Sequence, residues 1–167
     1  PHHYTTKTNS CRAITANHDI LSHLLPPSTS FLGGYTLGII VLDFGGQYAH
    51  LIANRIRRLH VFAEIRSPNS AVADLADAEG LILSGGPSSV YDADAPAYNP
   101  EILEMDKPML GLCYGHQLLC HRLGGQVEPG NAHEFGAAYL QVKEAKGVLA
   151  GLDEREMVWM SHRDQVT

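Results

Sequence analysis

Met109-Leu110-Gly111-Leu112-Cys113-Tyr114-Gly115-His116-Gln117-Leu118-Leu119 is the stretch that predicts both the fold of this chain and the place of its chemistry. An apolar run leads in, a cysteine stands between two glycines, and an apolar-periodic segment leads out. This order predicts a strand, a sharp turn and a helix. The pattern is that of the Gly-x-Ser-x-Gly nucleophile elbow with sulfur in place of oxygen, because small flanking residues permit a strained bend.

Cys113 is therefore the candidate nucleophile. Its thiol is expected at the N-terminus of a helix that starts near His116, where the partial positive charge of the helix favours a thiolate. A structural cysteine buried on a βα turn is the alternative, since cysteine is often buried.

The composition indicates a globular domain. The chain has 167 residues, of which 44% are hydrophobic and 18% charged, enough for one domain with a full core. No apolar run has the length of a membrane span, and with a net charge of -6 no basic run stands out, so neither a membrane nor a nucleic acid is an expected partner. The three cysteines Cys11, Cys113 and Cys120 suit a reducing compartment without a zinc site, and we expect a cytoplasmic protein.

The chain divides by composition into two regions. Residues 1–36 are rich in Ser, Thr, Pro and His, with Asp19 as the only acidic residue, which predicts a poorly ordered extension of no assigned role. Residues 37–167 are expected to form the domain.

Apolar runs and helical patterns alternate from Leu37 onward, which predicts a three-layer α/β fold with a mostly parallel central sheet. Expected strands are 37–44, 61–65, 81–83 and the one from Pro108, and expected helices are 71–78, 100–105, the one after Cys113, and one from about Gln47 with Leu51, Ile52, Ile56 and Leu59 on one face. Segments at 127, 138–142 and 157–160 are expected in a small antiparallel extension. Ligands of such sheets bind at the carboxyl ends of the strands, where Phe44-Gly45-Gly46, Ser84-Gly85-Gly86 and Cys113 converge.

The segment Ser84-Gly85-Gly86-Pro87-Ser88-Ser89 has three interpretations. It is most consistent with an oxyanion loop, in which the N–H groups of Gly86 and Tyr114 face a developing negative charge. A plain tight turn comes second. A phosphate-binding loop comes third, because Pro87 lacks an N–H and no helix clearly follows.

Four motifs occur in order: 42–48 (Leu-Asp-Phe-Gly-Gly-Gln-Tyr), 83–87 (Leu-Ser-Gly-Gly-Pro), 111–117 (Gly-Leu-Cys-Tyr-Gly-His-Gln) and 158–162 (Val-Trp-Met-Ser-His). Together they resemble the glutamine amidotransferase domain of the GMP synthases, a class I, triad-type amidotransferase with a flavodoxin-like fold. The resemblance runs from about Leu37 to Thr167.

The resemblance implies that Cys113 attacks the side-chain amide of glutamine while Gly86 and Tyr114 N–H groups hold the oxyanion. Gln117 on the elbow helix would help to hold glutamine, and Ser161, His162 and Asp164 would belong to a loop that grips its amino and carboxylate ends. The domain itself would need no cofactor. Its ammonia would pass to an ATP-pyrophosphatase (synthetase) domain or subunit that uses ATP and Mg²⁺ to make GMP from XMP, a step of purine biosynthesis.

Two departures from the family pattern stand out. Arg163 occupies the place of a glycine after the Ser-His pair, which would weaken glutamine binding if close approach is needed there. The family's catalytic base is the histidine of a His-Pro-Glu motif downstream of Trp-Met-Ser-His, and these 167 residues contain no such motif. We therefore expect little glutamine turnover from this segment alone, and a packing role for His116 is favoured over that of a substitute base.

Two other functions remain open at this point. One is a non-catalytic glutamine-binding or regulatory module of the same fold. The other is a flavodoxin-like nucleotide-binding domain that uses residues 84–89, which saturable binding of ATP or FMN would support.

Overall fold

The computed structural model describes residues 37–166 of the chain, with side chains described for 38–129, 136–158 and 166. The predicted extension at 1–36 lies outside the described residues. The elements are β1 (Leu37–Leu42), α1 (Ala49–Arg58), β2 (Ala63–Arg66), β3 (Ala78–Leu83), β4 (Met109–Gly111), α2 (Tyr114–Arg122), β5 (Val127–Gln141) and β6 (Arg155–Val166), with short 3₁₀ helices at Val72–Leu75, Pro100–Glu104 and Gly147–Leu149.

A parallel sheet of four strands forms the centre, in the order β2-β1-β3-β4. The apolar run of β1 lies in the interior because neighbouring strands pair on both of its edges and successive side chains point to opposite faces. Ile40 and Leu42 pack into one core cluster with residues of β3 and α2. Val41 packs on the other face against Ala49 and Ala53 of α1. The predicted α/β class with a parallel sheet is confirmed.

The buried face of α1 agrees with the prediction at Ile52 and Ile56 and differs from it at Leu51 and Leu59. Ala49 and Ala53 are buried and Ile52 and Ile56 pack against them, a spacing that places all four on one side of a helix. Leu51 and Leu59, which were expected on that face, are 60% and 72% exposed. The helix meets the sheet through small residues, so the leucines beside them point to solvent.

The prediction of a helix over 71–78 is wrong in its length and type. Only 72–75 is helical, as a 3₁₀ turn, and Ala78 already begins β3. Ala78 pairs with Leu37 and Gly80 with Ile39, so sheet pairing overrides the helix preference of the alanines. The helix expected over 100–105 is likewise a 3₁₀ turn, at 100–104, where the Asn99 side chain accepts a hydrogen bond from the Glu101 N–H.

The small antiparallel extension is confirmed as a two-stranded ribbon of β5 and β6. It is longer than the expected strands and has a register shift between Pro129 and Glu134. Ser161, His162 and Asp164 were expected in a loop, and they lie instead within β6, opposite Phe135, Glu134 and Pro129. Pairing with β5 keeps this segment extended.

In the part of the chain that the structure describes, no helix is long and apolar enough to cross a membrane.

Candidate active site at the β4–α2 elbow

Cys113 stands between β4 and α2 and caps the N-terminus of α2 with φ +50° and ψ −113°. A positive φ is strained for a residue with a Cβ, at a cost of about 1–3 kcal/mol. The cysteine is exposed, in contrast to Cys120 further along the same helix, which is buried. The backbone bend therefore presents Cys113 to solvent at the carboxyl end of the sheet.

The glycines on either side of Cys113 are required by close packing. A Cβ on Gly111 would lie 2.5 Å from the Gly115 carbonyl carbon, and one on Gly115 would lie 2.6 Å from the Leu83 Cβ. The Leu112 N–H donates to the Leu83 carbonyl at 2.9 Å and the Gly115 N–H donates to the Ser84 carbonyl at 3.1 Å. The elbow is thus fastened to the end of β3, which places it beside the loop that follows β3.

That loop brings Gly85 and Gly86 to the elbow. A Cβ on Gly85 would lie 3.5 Å from the Cys113 Cβ, and one on Gly86 would lie 3.2 Å from the Tyr114 Cγ. Among the described residues, neither the Gly86 N–H nor the Tyr114 N–H has a hydrogen-bond acceptor. Gly86 and Tyr114, whose N–H groups were predicted to form an oxyanion hole, are therefore neighbours beside Cys113, and neither N–H group is used by another described residue.

The Tyr114 side chain belongs to the hydrophobic core. The residue is 2% exposed, and its ring packs on Phe44 with ring centroids 5.2 Å apart. Burial, together with the neighbouring Tyr98, raises the pKa of the phenol. The predicted role of Tyr114 at the elbow therefore falls to its main-chain N–H alone.

His116 turns toward the second cysteine of α2. Its Nε2 lies 3.6 Å from the Cys120 Sγ, one helical turn further on. Burial lowers the pKa of the imidazole, which favours the neutral ring. This contact supports the packing interpretation of His116.

The predicted glutamine-binding residues are divided between two elements. Gln117 is half-buried in the first turn of α2, four residues after Cys113 and so on the same helix face. Ser161, His162, Arg163 and Asp164 lie on β6, with side chains outside the described set. The ribbon passes close to α2, so the backbone brings β6 near the elbow helix.

Ser84 is a residue of the site whose side chain the sequence did not single out. It is fully buried, and its hydroxyl accepts a hydrogen bond from the Phe44 N–H at 3.1 Å and donates one to the Gly85 carbonyl at 3.0 Å. The Gly46 N–H donates to the same carbonyl at 3.1 Å. The inward hydroxyl is unavailable to a phosphate, which disfavours the nucleotide-loop interpretation. A serine directly after a buried strand was the available signal.

Within the described ranges, no cluster of three or more His, Cys, Asp and Glu side chains could hold a metal ion.

The fold and the elbow define an α/β domain that presents a cysteine at a strand-to-helix turn, the arrangement used for nucleophilic acyl transfer. A family model described as glutamine amidotransferase class-I matches residues 40–167. The chain belongs to the class-I glutamine amidotransferase family.

Curated relatives with similar sequences support this family membership. A GMP synthase [glutamine-hydrolyzing] of Carboxydothermus hydrogenoformans is 47% identical over 130 residues, and one of Pyrobaculum aerophilum is 48% identical over 130 residues. Each match covers 77% of this chain and 26% of the relative, so the chain spans about a quarter of the length of these relatives.

A solved structure from Thermoplasma acidophilum, of a candidate GMP synthase component, has a TM-score of 0.67 and 27% identity, covering 80% of this chain and 68% of that one. A glutamine amidotransferase of Thermotoga maritima shares the fold at a TM-score of 0.62 and 19% identity, covering 80% and 64% of the two chains.

Proposed function

We propose that this domain hydrolyses glutamine to glutamate and ammonia within a GMP synthase. The observation that carries the proposal is the exposed Cys113 at the N-terminus of α2, next to Gly86 and Tyr114, whose N–H groups have no acceptor among the described residues. The relatives named glutamine-hydrolysing GMP synthases, at 47% and 48% identity, support the choice of glutamine.

In the proposed reaction the Cys113 sulfur forms a bond to the side-chain amide carbon of glutamine. The carbonyl oxygen becomes an oxyanion that accepts hydrogen bonds from the Gly86 and Tyr114 N–H groups, and loss of one such donor typically lowers the rate about a hundred- to a thousandfold. The C–N bond then breaks, and the nitrogen leaves as ammonia with the thiol proton. Water hydrolyses the thioester, which releases glutamate and restores the thiol.

The proton must travel through a general acid and base. Among the residues whose side chains are described, none is in hydrogen-bond contact with the Cys113 Sγ. We assign this role to the histidine of a His-Pro-Glu motif in the full natural protein, as the resemblance implies. Gln117, Ser161, His162 and Asp164 would hold the amino and carboxylate groups of glutamine.

The ammonia would be used by an ATP-pyrophosphatase (synthetase) domain or subunit that binds ATP and Mg²⁺ and converts XMP to GMP. The share of the relatives that lies outside the match leaves room for such a domain, since this chain corresponds to 26% of their length. The reaction is proposed for the cytoplasm, and glutamine is the only small-molecule ligand that this domain itself would need.

The test is alkylation of the full natural protein by an electrophilic glutamine analogue such as a diazoketone, followed by peptide mapping. We expect a single adduct at Cys113, blocked by excess glutamine and accompanied by loss of ammonia release. Because Cys120 lies on the same helix but is buried, Cys120→Ser is the matched control and should still be labelled at Cys113. Labelling elsewhere, or activity that survives in Cys113→Ala, would contradict the proposal.

A further inference from the structure

The peptide unit that joins Gly85 to Gly86 is held from one side. Its carbonyl oxygen, on Gly85, accepts two hydrogen bonds, from the Ser84 hydroxyl at 3.0 Å and from the Gly46 N–H at 3.1 Å. Its N–H, on Gly86, has no acceptor among the described residues. One end of the peptide is thus saturated while the other is free.

Because the peptide unit is planar, the direction of the Gly85 carbonyl determines the direction of the Gly86 N–H. In a trans peptide the C=O and N–H bonds are coplanar and point in opposite directions, and the described residues contain no cis peptide. Fixing the Gly85 carbonyl therefore fixes the direction of the Gly86 N–H, which is aimed away from Ser84 and Gly46.

A peptide between two glycines needs such a restraint. Glycine enters positive and negative φ with nearly equal ease, so the Gly85–Gly86 peptide can rotate at little steric cost. A rotated peptide would turn the Gly86 N–H inward and present the Gly85 carbonyl oxygen at the elbow instead. A carbonyl dipole there would repel an oxyanion rather than stabilise it.

The restraint is anchored in the core. Ser84 is fully buried, its hydroxyl also accepts from the Phe44 N–H at 3.1 Å, and its carbonyl accepts from the Gly115 N–H of α2 at 3.1 Å. Gly46 can reach the loop only as a glycine, because a Cβ there would lie 2.7 Å from the Gly85 carbonyl carbon. The loop after β1, the loop after β3 and the elbow helix are therefore held together at one serine.

We infer that Ser84, assisted by the Gly46 N–H, is a positioning residue that holds the Gly85–Gly86 peptide with its N–H ready for the oxyanion. The inference rests on the proposed glutaminase function. It assigns a role to the Gly-Gly pair of the loop after β1, which is to supply a second donor to the Gly85 carbonyl.

Ser84→Ala in the full natural protein tests the inference. It leaves the Gly46 N–H as the only donor to the Gly85 carbonyl. Because the interaction matters only in the transition state, we expect kcat for glutamine hydrolysis to fall about ten- to a hundredfold, below the full loss of a donor. KM should stay within about twofold, since the ground-state amide does not depend on the oxyanion donor.

Two binding measurements separate positioning from general loosening of the fold. The first uses glutamate γ-semialdehyde as an inhibitor. The Cys113 thiol adds to its aldehyde carbon and forms a tetrahedral hemithioacetal, whose oxygen occupies the oxyanion position. Its inhibition constant should rise by about the same factor as kcat/KM falls in Ser84→Ala. Glutamine binding to Cys113→Ala and to the double variant Cys113→Ala/Ser84→Ala, measured by calorimetry, should be equal.

Ser67→Ala is the matched control, because it removes a serine hydroxyl that accepts a backbone N–H (from Asn69, at 3.2 Å) on an exposed turn. It should leave kcat and the semialdehyde constant unchanged. If Ser84→Ala does not fold, Ser84→Cys keeps a donor at this position, in a slightly larger side chain and of weaker strength, and should lower kcat by a smaller factor at unchanged KM. Unchanged kcat in a folded Ser84 variant, or a change in KM alone, would overturn the inference. Absence of glutamine hydrolysis in the unsubstituted protein would instead overturn the proposed function.

Discussion

Cys113 has a backbone conformation that is unfavourable for a residue with a side chain. Its φ of +50° and ψ of −113° are strained for any residue with a Cβ, and the bend is what exposes the sulfur. Cys113→Gly and Cys113→Ala both remove the thiol, but only glycine removes the strain. We expect the glycine variant to be more stable than the alanine variant by about 1 kcal/mol, measured by urea unfolding. Equal stabilities would show that the bend carries no strain.

His116 makes the stability of the domain depend on pH. Burial lowers its pKa below the ordinary value of 6.5, so the folded state binds its proton less readily than the unfolded state does. The free energy of unfolding therefore has its full value above pH 6.5, where the imidazole is neutral in both states, and it decreases as the pH falls through the lowered folded-state pKa. The urea concentration at the midpoint of unfolding should therefore decrease when the pH is lowered from about 7.5 to about 5.5. In His116→Gln this decrease should be smaller.

The control for this prediction is His50→Gln, which replaces an exposed histidine on α1. It should keep the full acid sensitivity of the unsubstituted protein. An unchanged pH dependence in His116→Gln would assign the effect to another group.

The elements meet most closely where α2 crosses the end of β3. A Cβ on Gly115 would collide with the Leu83 carbonyl and lie 2.6 Å from the Leu83 Cβ, so neither element can move aside easily. Gly115→Ala should lower the free energy of unfolding by about 1–3 kcal/mol or more through overpacking. It should also displace Cys113, with a loss of activity in the protein that remains folded.

Gly124→Ala separates crowding from backbone strain. Gly124 follows α2 with φ +83°, and nothing lies within 4 Å of an added Cβ. Alanine there should cost about 1 kcal/mol from its φ alone and leave the activity intact. An equal effect of both substitutions would contradict a packing role for Gly115.

The sequence predicted the elements whose signals are local and failed where contacts between elements decide. The run into Cys113 and the glycines beside it indicated strand, elbow and helix, and the structure has them. The pattern on α1 correctly included Ile52 and Ile56 but also Leu51 and Leu59, which are exposed. It missed the fully buried alanines, Ala49 and Ala53. Hydrophobicity alone does not reveal how closely a helix approaches a sheet, and small residues allow the closest approach.

The same limit applies to the site. A nucleophile elbow has a short signature, so Cys113 and its neighbour Tyr114 could be found from spacing. Ser84 acts through a hydroxyl turned into the core, toward Phe44, which lies forty residues away in sequence. Such a contact exists only once β1 and β3 are paired, and no local pattern encodes it.

At the scale of the whole molecule, the proposed function separates ammonia release from ammonia use. Cys113 is needed only to break the C–N bond of glutamine, so a synthetase supplied with free ammonia does not depend on it. In the full natural protein, Cys113→Ala should lose GMP formation from XMP and ATP when glutamine is the nitrogen source. Formation from an ammonium salt should stay within about twofold of the unsubstituted protein, since a change that removes one chemical step leaves the independent one intact.

Cys120→Ala provides the comparison for that experiment, because it removes a buried thiol from the same helix and should retain both reactions. Parallel loss of both reactions in Cys113→Ala would mean that the substitution disrupts the protein rather than the chemistry, and the thermal midpoint would then fall as well. Retention of glutamine-dependent synthesis in Cys113→Ala would remove the nucleophile from the mechanism. Loss of the glutamine-dependent reaction alone is the result that assigns Cys113 to ammonia release, because only that step forms a covalent bond to its sulfur.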